Sequence, residues 1–321
     1  MEKETKKILE LGIGLVGTGI ISFSDLILKA LYRYLNIPYE EINSSIAFWC
    51  GIGLIVLAIV MHILDIKKEK VLAVIGLDTI KATKKFKNSN IINIIENVKK
   101  LKKSNSRKII TDYISDVDKC INNYSDYNVS YFGVAPLPFI ALAGSAYRKE
   151  KIYSHHEYFQ KNDKIKPLNY VPAFLLPKLI LDASLIKDSN ISVITIETTC
   201  QMNEKDLEQF KNCSLYRFQL EKPKTNAIIS EKQLEAYSEK IADEIYKISK
   251  TTSEKIYVLG ACQSSLMFEI FRKINKNRVV DIIVCNYLRT AQYKYNWGIY
   301  ASGNSVGKYV ELGDVDGKSN N

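Results

Sequence analysis

A chain of 321 residues with a formal net charge of +10 is long enough for one or two domains with sizeable cores. The positive balance favours acidic partners: nucleotides, nucleic acid or anionic lipid. Cysteines at 50, 120, 200, 213, 262 and 285 include no C-x-x-C pair. This argues against a zinc ribbon or a disulfide framework and fits reduced thiols in a cytosolic compartment.

Ile8 to Leu28 is a mostly apolar stretch of about 21 residues, enough to cross roughly 30 Å of hydrocarbon as a helix. Ile46 to Ile66 is a second one, and from Ile46 to Leu64 it holds no Asp, Glu, Lys or Arg. A removable signal peptide competes for the first stretch. The lack of an A-x-A-like site before the polar loop, and the second span behind it, favour a two-helix hairpin. Lys3, Lys6 and Lys7 precede the hairpin and Lys67, Lys68 and Lys70 follow it, while the loop carries only Lys29 and Arg33. The positive-inside rule then puts both ends in the cytoplasm, as expected of a multi-pass protein of the inner membrane. Gly12, Gly14, Gly17 and Gly19 form a small-residue face that permits close helix approach. Glu10 and Asp25 either snorkel to the interfaces or face other helices. The expected division is a transmembrane hairpin over 1–70 and a soluble domain over 71–321.

Val71 to Leu77 is a β-branched run and the expected first strand of the soluble domain. Lys81 to Lys108 is intensely basic, and within it Ile91, Ile94, Ile95, Val98 and Leu101 fall at helical spacing. Such a helix either lies on anionic headgroups or turns its apolar stripe into the core. Ile109 to Asn123 reads as a helix, and Lys164 to Lys178, interrupted by Pro167, Pro172 and Pro177, as loop or broken helix. Ile191 to Glu197 and Leu215 to Leu220 read as strands, Asn203 to Asn212 as a capped helix, and Ser230 to Lys250 as a long helix opening on Ser230 and Gln233. The order predicts an α/β domain with a largely parallel sheet.

Two stretches repeat each other. Val129-Ser-Tyr-Phe, Gly133-Val-Ala-Pro-Leu-Pro, Phe139 to Tyr147 and then Lys151-Ile-Tyr-Ser form the first unit, within 129–159. Ile256-Tyr-Val-Leu, Gly260-Ala-Cys-Gln-Ser-Ser, Leu266 to Ile274 and then Val279 to Cys285 form the second, within 255–300, followed by an aromatic loop. Each reads strand, small-residue turn, helix, strand. A duplicated unit predicts a pseudo-dimer with a ligand held between its halves. In open sheets ligands sit beyond the carboxyl ends of strands, where helix N-termini offer free N–H groups.

Gly260-Ala-Cys-Gln-Ser raises the alternative of a membrane-anchored hydrolase with Cys262 or Ser264 as nucleophile. Ser264 stands where such an elbow has its second glycine, and His155 and His156 are the only histidines of the soluble part. Both points argue against it, and Cys262 reads as a small buried residue of the turn. No P-loop, H-E-x-x-H or close carboxylate pair occurs, so no catalytic residue, metal or cofactor is assigned. A binding constellation remains. Phe159, Trp297 and Tyr293 offer rings on which bases stack, and Lys161 and Lys294 offer charge beside them, the other reading of the rings being ordinary packing.

The segments Tyr131-Phe-Gly-Val-Ala-Pro-Leu-Pro-Phe-Ile-Ala-Leu-Ala-Gly and Ile256-Tyr-Val-Leu-Gly-Ala-Cys-Gln-Ser-Ser-Leu-Met-Phe-Glu-Ile-Phe, with Tyr293-Lys-Tyr-Asn-Trp, resemble the SAVED domain, a fusion of two CARF-like halves. With the hairpin, the layout is similar to transmembrane SAVED effectors of CBASS anti-phage systems. The resemblance implies a pocket at turns containing Pro136, Pro138, Gln263, Ser264 and Ser265. It further implies a cyclic di- or oligonucleotide ligand, made by a partner nucleotidyltransferase of the CD-NTase type. Its phosphates would rest on helix N-termini. Ligand-driven self-assembly would then bring the hairpins together and damage the membrane lipid, with no long nucleic acid bound.

Overall fold

Strand β1 (Glu69–Ile75) is buried along its last five residues. Leu72 and Val74 enter one apolar cluster while Val71, Ala73 and Ile75 enter another, so both faces of the strand are covered. That pattern holds for the interior strands and sets the architecture. The computed structural model describes residues 52–57, 60, 69–77, 86, 91–124, 127–148, 150–159, 163–169, 177–187, 189–252 and 254–315. The chain divides into two compact units, 1–68 and 69–321. Of the two expected membrane spans, only residues 52–57 and 60 are described, and these are helical. Val56, Leu57 and Val60 there are exposed. Among the described residues no helix is long and apolar enough to cross a membrane.

The second unit contains two mixed sheets. The five-stranded one has order β2-β1-β3-β4-β5, with β2 (Ile91–Asn93), β3 (Asn128–Val134), β4 (Ile152–Phe159) and β5 (Lys164–Pro167). The seven-stranded one has order β12-β11-β10-β9-β7-β8-β6. Its strands are β6 (Leu179–Ser184), β7 (Ile191–Glu197), β8 (Ser214–Leu220), β9 (Lys255–Ala261), β10 (Asp281–Tyr287), β11 (Tyr295–Ser302) and β12 (Tyr309–Glu311). The central pairs are parallel as expected, but β5, β6, β11 and β12 join antiparallel, β5, β6 and β12 as edges and β11 between β10 and β12. The short links β4–β5 and β10–β11 explain two of these, because only antiparallel neighbours can be joined without a crossover.

Helices α1 (Ile95–Lys100), α2 (Lys103–Asn123), α3 (Leu137–Ala146), α4 (Glu204–Leu207), α5 (Glu231–Thr251) and α6 (Ser264–Lys273) complete the unit. One apolar cluster joins residues of α2, α3, α5 and α6 to inward residues of both sheets. The other clusters lie on the opposite face of each sheet. The principal helices are therefore sandwiched between the sheets. This is why α3 is buried all round from Pro138 to Gly144, with no polar face to show to water.

Several expectations need correction. Ile91 to Leu101 is not one amphipathic helix: Ile91–Asn93 pairs with Ala73–Ile75 as a strand, and the helix starts at Ile95. Satisfying the edge of β1 outweighs the helical spacing. The helix expected from Ile109 begins at Lys103, where the Lys102 N–H donates to Asn105 Oδ1 at 2.8 Å. Lys164–Pro167 is an edge strand, a place that tolerates proline. Asn203 caps as expected, accepting from the Lys205 N–H, but α4 is one turn followed by a 3₁₀ turn over 208–210. The strand expected from Val279 starts at Asp281. The aromatic tail is largely a strand, β11. A register irregularity between Asn286 and Tyr287 sends Tyr295 into the outer cluster while Trp297 packs on the inner one.

The repeats appear as β3–α3–β4 and β9–α6–β10, and their helices cross over. Helix α6 stacks Phe268 on Tyr131 of β3, with centroids 3.8 Å apart, while Phe139 of α3 meets Trp297 of β11 edge-on. The helices touch at Gly144, where a Cβ would lie 2.2 Å from the Phe268 carbonyl oxygen. No larger residue fits that approach without backbone movement.

Candidate functional site

In the five-stranded sheet the chain leaves β1 for β2 on one side and returns to β3 on the other, so its direction reverses between β1 and β3. It reverses again between β7 and β9 in the larger sheet. A crevice forms beyond the carboxyl ends at such a switch point. At the first, the Gly76 N–H donates to Val134 O at 2.8 Å. A Cβ on Gly76 would come within 2.8 Å of Ala135 and 2.9 Å of Pro136. At the second, the Thr198 and Thr199 N–H groups both donate to Ala261 O, at 3.1 and 2.9 Å, and so does Thr199 Oγ1 at 2.7 Å. The two turns meet: Ser264 Oγ donates to Gly133 O, and a Cβ on Gly260 would run into Leu137.

The structure thus brings Pro136, Pro138, Gln263, Ser264 and Ser265 to the two turns, with Pro136 and Gln263 at the N-cap positions of α3 and α6 and no side-chain cap from either. They are not equally open. Pro138, Gln263 and Ser265 are buried, while Pro136 and Ser264 are half-buried. Gln263 is committed to the backbone of Ile228, accepting its N–H at 2.6 Å and donating to its carbonyl at 3.0 Å.

The expected phosphate seat on α6 is already filled. Glu157 of β4 accepts the Ser265 N–H at 3.1 Å, so a protein carboxylate neutralises that helix end. Burial holds the Glu157 carboxyl above its ordinary range, against the opposing pull of Ser265 and His155. Among the described residues the buried Ser265 hydroxyl has no hydrogen-bond partner by geometry.

Phe159 ends β4, with the Lys166 ammonium 5.7 Å from its ring centroid. Lys161 lies outside the described residues. Tyr293 and Lys294 sit on the β10–β11 connection, where Lys294 Nζ donates to the Arg289 and Ala291 carbonyls at 2.8 and 3.1 Å. Trp297 stacks on Tyr309 as well as meeting Phe139. Its ring is engaged in packing.

Sequence reasoning missed several groups at this edge. Glu197, fully buried at the end of β7, receives Arg217 Nε and Nη2 at 2.9 and 3.0 Å and the Met202 N–H at 2.9 Å. Arg217 also bonds Glu204. This clamp closes the loop 198–203, which borders the second switch point. Inward charges on otherwise apolar strands, Glu197 and Glu157, were the available signal.

His155 lies deeper on β4. Its Nδ1 is 2.8 Å from Glu231 and its Nε2 is 3.0 Å from Glu269, which in turn receives Arg272 Nε at 2.7 Å. Burial opposes its charge, but the hydrogen bonds to Glu231 and Glu269 outweigh this and raise it to about 9. Burial likewise opposes ionisation of Glu269, yet His155 and Arg272 hold it down at about 2. A cavity of about 220 Å³ beside this network is lined by Tyr153, Glu235 and Lys273 among others. It lies toward the far end of α6, away from the switch points.

The geometry disfavours a nucleophile. Burial, with the Glu157 charge, pushes the Cys262 thiol well up, and Ser264 Oγ is spent on a carbonyl. Both ring nitrogens of His155 face carboxylates. Among the described residues no group of three His, Cys, Asp or Glu is placed to hold a metal.

A family model described as "SAVED: SMODS-associated and fused to various effectors sensor domain" matches residues 109–300. Among solved structures, the chain is similar to an Acinetobacter baumannii Cap4 SAVED/CARF-domain containing receptor with the cyclic trinucleotide 2′3′3′-cAAA. That match has a TM-score of 0.50 at 10% identity over 85% of this chain and 59% of the other. The same receptor with 3′3′3′-cAAA gives 0.49 at 11% identity, over 84% and 58%. The Moraxella osloensis Cap4 receptor gives 0.44 at 11%, over 85% and 60%. The chain therefore spans about three fifths of the length of these receptors, and the first likeness shows a shared fold. No curated protein matches the sequence.

Proposed function

The chain belongs to the SAVED family of sensor domains, and on that premise we propose that it is a CBASS receptor for a cyclic oligonucleotide. The observation that carries the reading is the meeting of two switch points through Ser264 and Gly133. A ring-shaped ligand with repeating phosphodiesters suits a site built from a repeated unit. The Cap4 receptors with 2′3′3′-cAAA and 3′3′3′-cAAA make cyclic trinucleotides the first ligands to try. The supplier is a nucleotidyltransferase of the CD-NTase type.

The output we propose is membrane damage. Residues 8–28 and 46–66 form a hairpin in the inner membrane, with the sensor on the cytoplasmic side. Ligand binding drives self-assembly, and the assembled hairpins disrupt the bilayer. The charge-free run Ile46 to Leu64 and the exposed Val56, Leu57 and Val60 support a lipid-facing segment.

A thermal-shift screen of the full chain in mild detergent tests the receptor. A ligand at about a hundred times its Kd adds about 2.7 kcal/mol, or roughly 5–10 °C for a domain of this size. No shift with any cyclic di- or trinucleotide removes the receptor reading. Dye release from anionic vesicles carrying the chain tests the output, which predicts release only when the active ligand is added.

A further inference from the structure

Residues 221–229, between β8 and α5, run across the strand carboxyl ends as a strap fastened at three points. The Lys224 N–H donates to Thr198 O beyond β7, at 3.2 Å. Asn226 Nδ2 donates to Tyr158 O near the end of β4, at 3.1 Å. Ile228 exchanges two hydrogen bonds with Gln263 at the start of α6. The strap therefore joins the second repeat to the first at the edge where the switch points open.

Its backbone is held under strain. Asn226 has φ of 54°, in the left-handed region. Asp163, with φ of 46°, is the other non-glycine residue there among the described residues. Asp163 accepts from the Tyr158 hydroxyl at 2.9 Å, so both strained residues are pinned to Tyr158. Such conformations persist where their surroundings over-determine them, and they cluster at ligand clamps.

The strap also brings uncommitted positive charge to this edge, where several other cationic groups are already engaged. Arg217 is committed to Glu197 and Glu204, Lys294 to carbonyls, and the α6 N-terminus to Glu157. Lys222 and Lys224 are exposed, and among the described residues neither has an ion-pair partner. Two exposed ammonium groups thus stand on a backbone fastened at this edge.

We propose that Lys222 and Lys224 are the phosphodiester contacts of the site, the strap being its recognition element. This rests on the receptor reading and adds residues to it. An ammonium is a point charge that binds phosphate without reading the base. The pair therefore supplies affinity common to all ligands of the site and leaves their rank order unchanged.

The test uses the full chain, K222A/K224A and K222R/K224R, with 2′3′3′-cAAA, 3′3′3′-cAAA and cyclic di-AMP as probes. Kd is measured at about 50 and about 200 mM salt, where lost charge contacts to phosphate flatten the salt dependence. The alanine pair weakens every bound probe by about tenfold or more, flattens the slope and keeps the rank order. The arginine pair restores affinity. Both side chains are exposed, so melting temperature serves as the fold control, and K222Q/K224Q replaces the alanine pair if it melts early. Affinity within about twofold of the parent with an unchanged slope, or a reordered ligand series, overturns the role of the strap alone. A parent chain that binds no probe overturns the receptor reading, and the strap with it.

Discussion

Both repeat helices are packed by apolar groups, but only α6 adds buried charge to its seat. Helix α3 meets β10 and β11 through apolar groups: Phe139 lies edge-on to Trp297, and Leu142, Ile282, Val284 and Ile299 share its cluster. Helix α6 meets β4 through charge: Glu269 against His155, and the Ser265 N–H against Glu157. His155 and Glu157 are two residues apart on one strand, and Ser265 and Glu269 four apart on one helix, so each pair shares a face. An apolar seam is held by area and shape and tolerates small slips. A buried charged seam adds little net stability, because desolvation offsets attraction, but it is costly to break. One copy of the repeat is thus held by packing alone, and the other by packing with a charged seam that sets its register.

The largest expected effect breaks the charged seam. Glu269→Ala leaves Arg272 and one side of His155 without their carboxylate and costs about 3–5 kcal/mol, read from denaturant unfolding of the full chain. Phe139→Ala in the apolar seam costs a comparable amount, about 3–5 kcal/mol, through lost burial and a cavity. The pH profile separates them. His155 is raised to about 9 in the folded state, so its contribution is full below about 6.5 and is lost as pH rises through about 9. The loss amounts to about 3 kcal/mol at most, and His155→Gln or Glu269→Ala flattens that limb while Phe139→Ala leaves it intact. At the acid end Glu269, held at about 2, gives up its contribution as pH falls from about 4.5 through that value. An unchanged alkaline limb in His155→Gln would show that the charged seam does not set it.

Smaller effects follow where the seams meet. Gly144→Ala puts a methyl against the Phe268 carbonyl and costs about 2 kcal/mol in the same unfolding assay. Ser264→Ala removes one hydrogen bond between the two turns and costs about 1 kcal/mol, with its effect read more clearly in ligand affinity than in stability.

Much of the scaffold was legible in local pattern. The run Ile191 to Glu197 alternates between two clusters, and the Ser230 cap on the Gln233 N–H forms as the spacing predicts. Strand–turn–helix units showed as a repeat because the same turn chemistry recurs at Gly133 and Gly260. Local pattern failed where distant partners decide. Ile91–Asn93 is a strand because β1 needs an edge partner, and Tyr295 changes face through an irregularity that no spacing announces. Glu231 and Glu269 lie 76 and 114 residues from His155, so nothing near His155 in sequence marks the network. Of the residues proposed for the site, the turn set converges, while Gln263 serves the strap and Trp297 serves the core. The strap itself is a polar connection whose role depends on its three anchors.

Calorimetric titration of the full chain with 2′3′3′-cAAA, 3′3′3′-cAAA and cyclic di-AMP, against a long single-stranded RNA as comparison, tests the central claim most directly. The account predicts saturable binding of at least one cyclic nucleotide at one ligand per chain. Heat from the long RNA alone, falling steeply with salt and with no cyclic nucleotide bound, would contradict it.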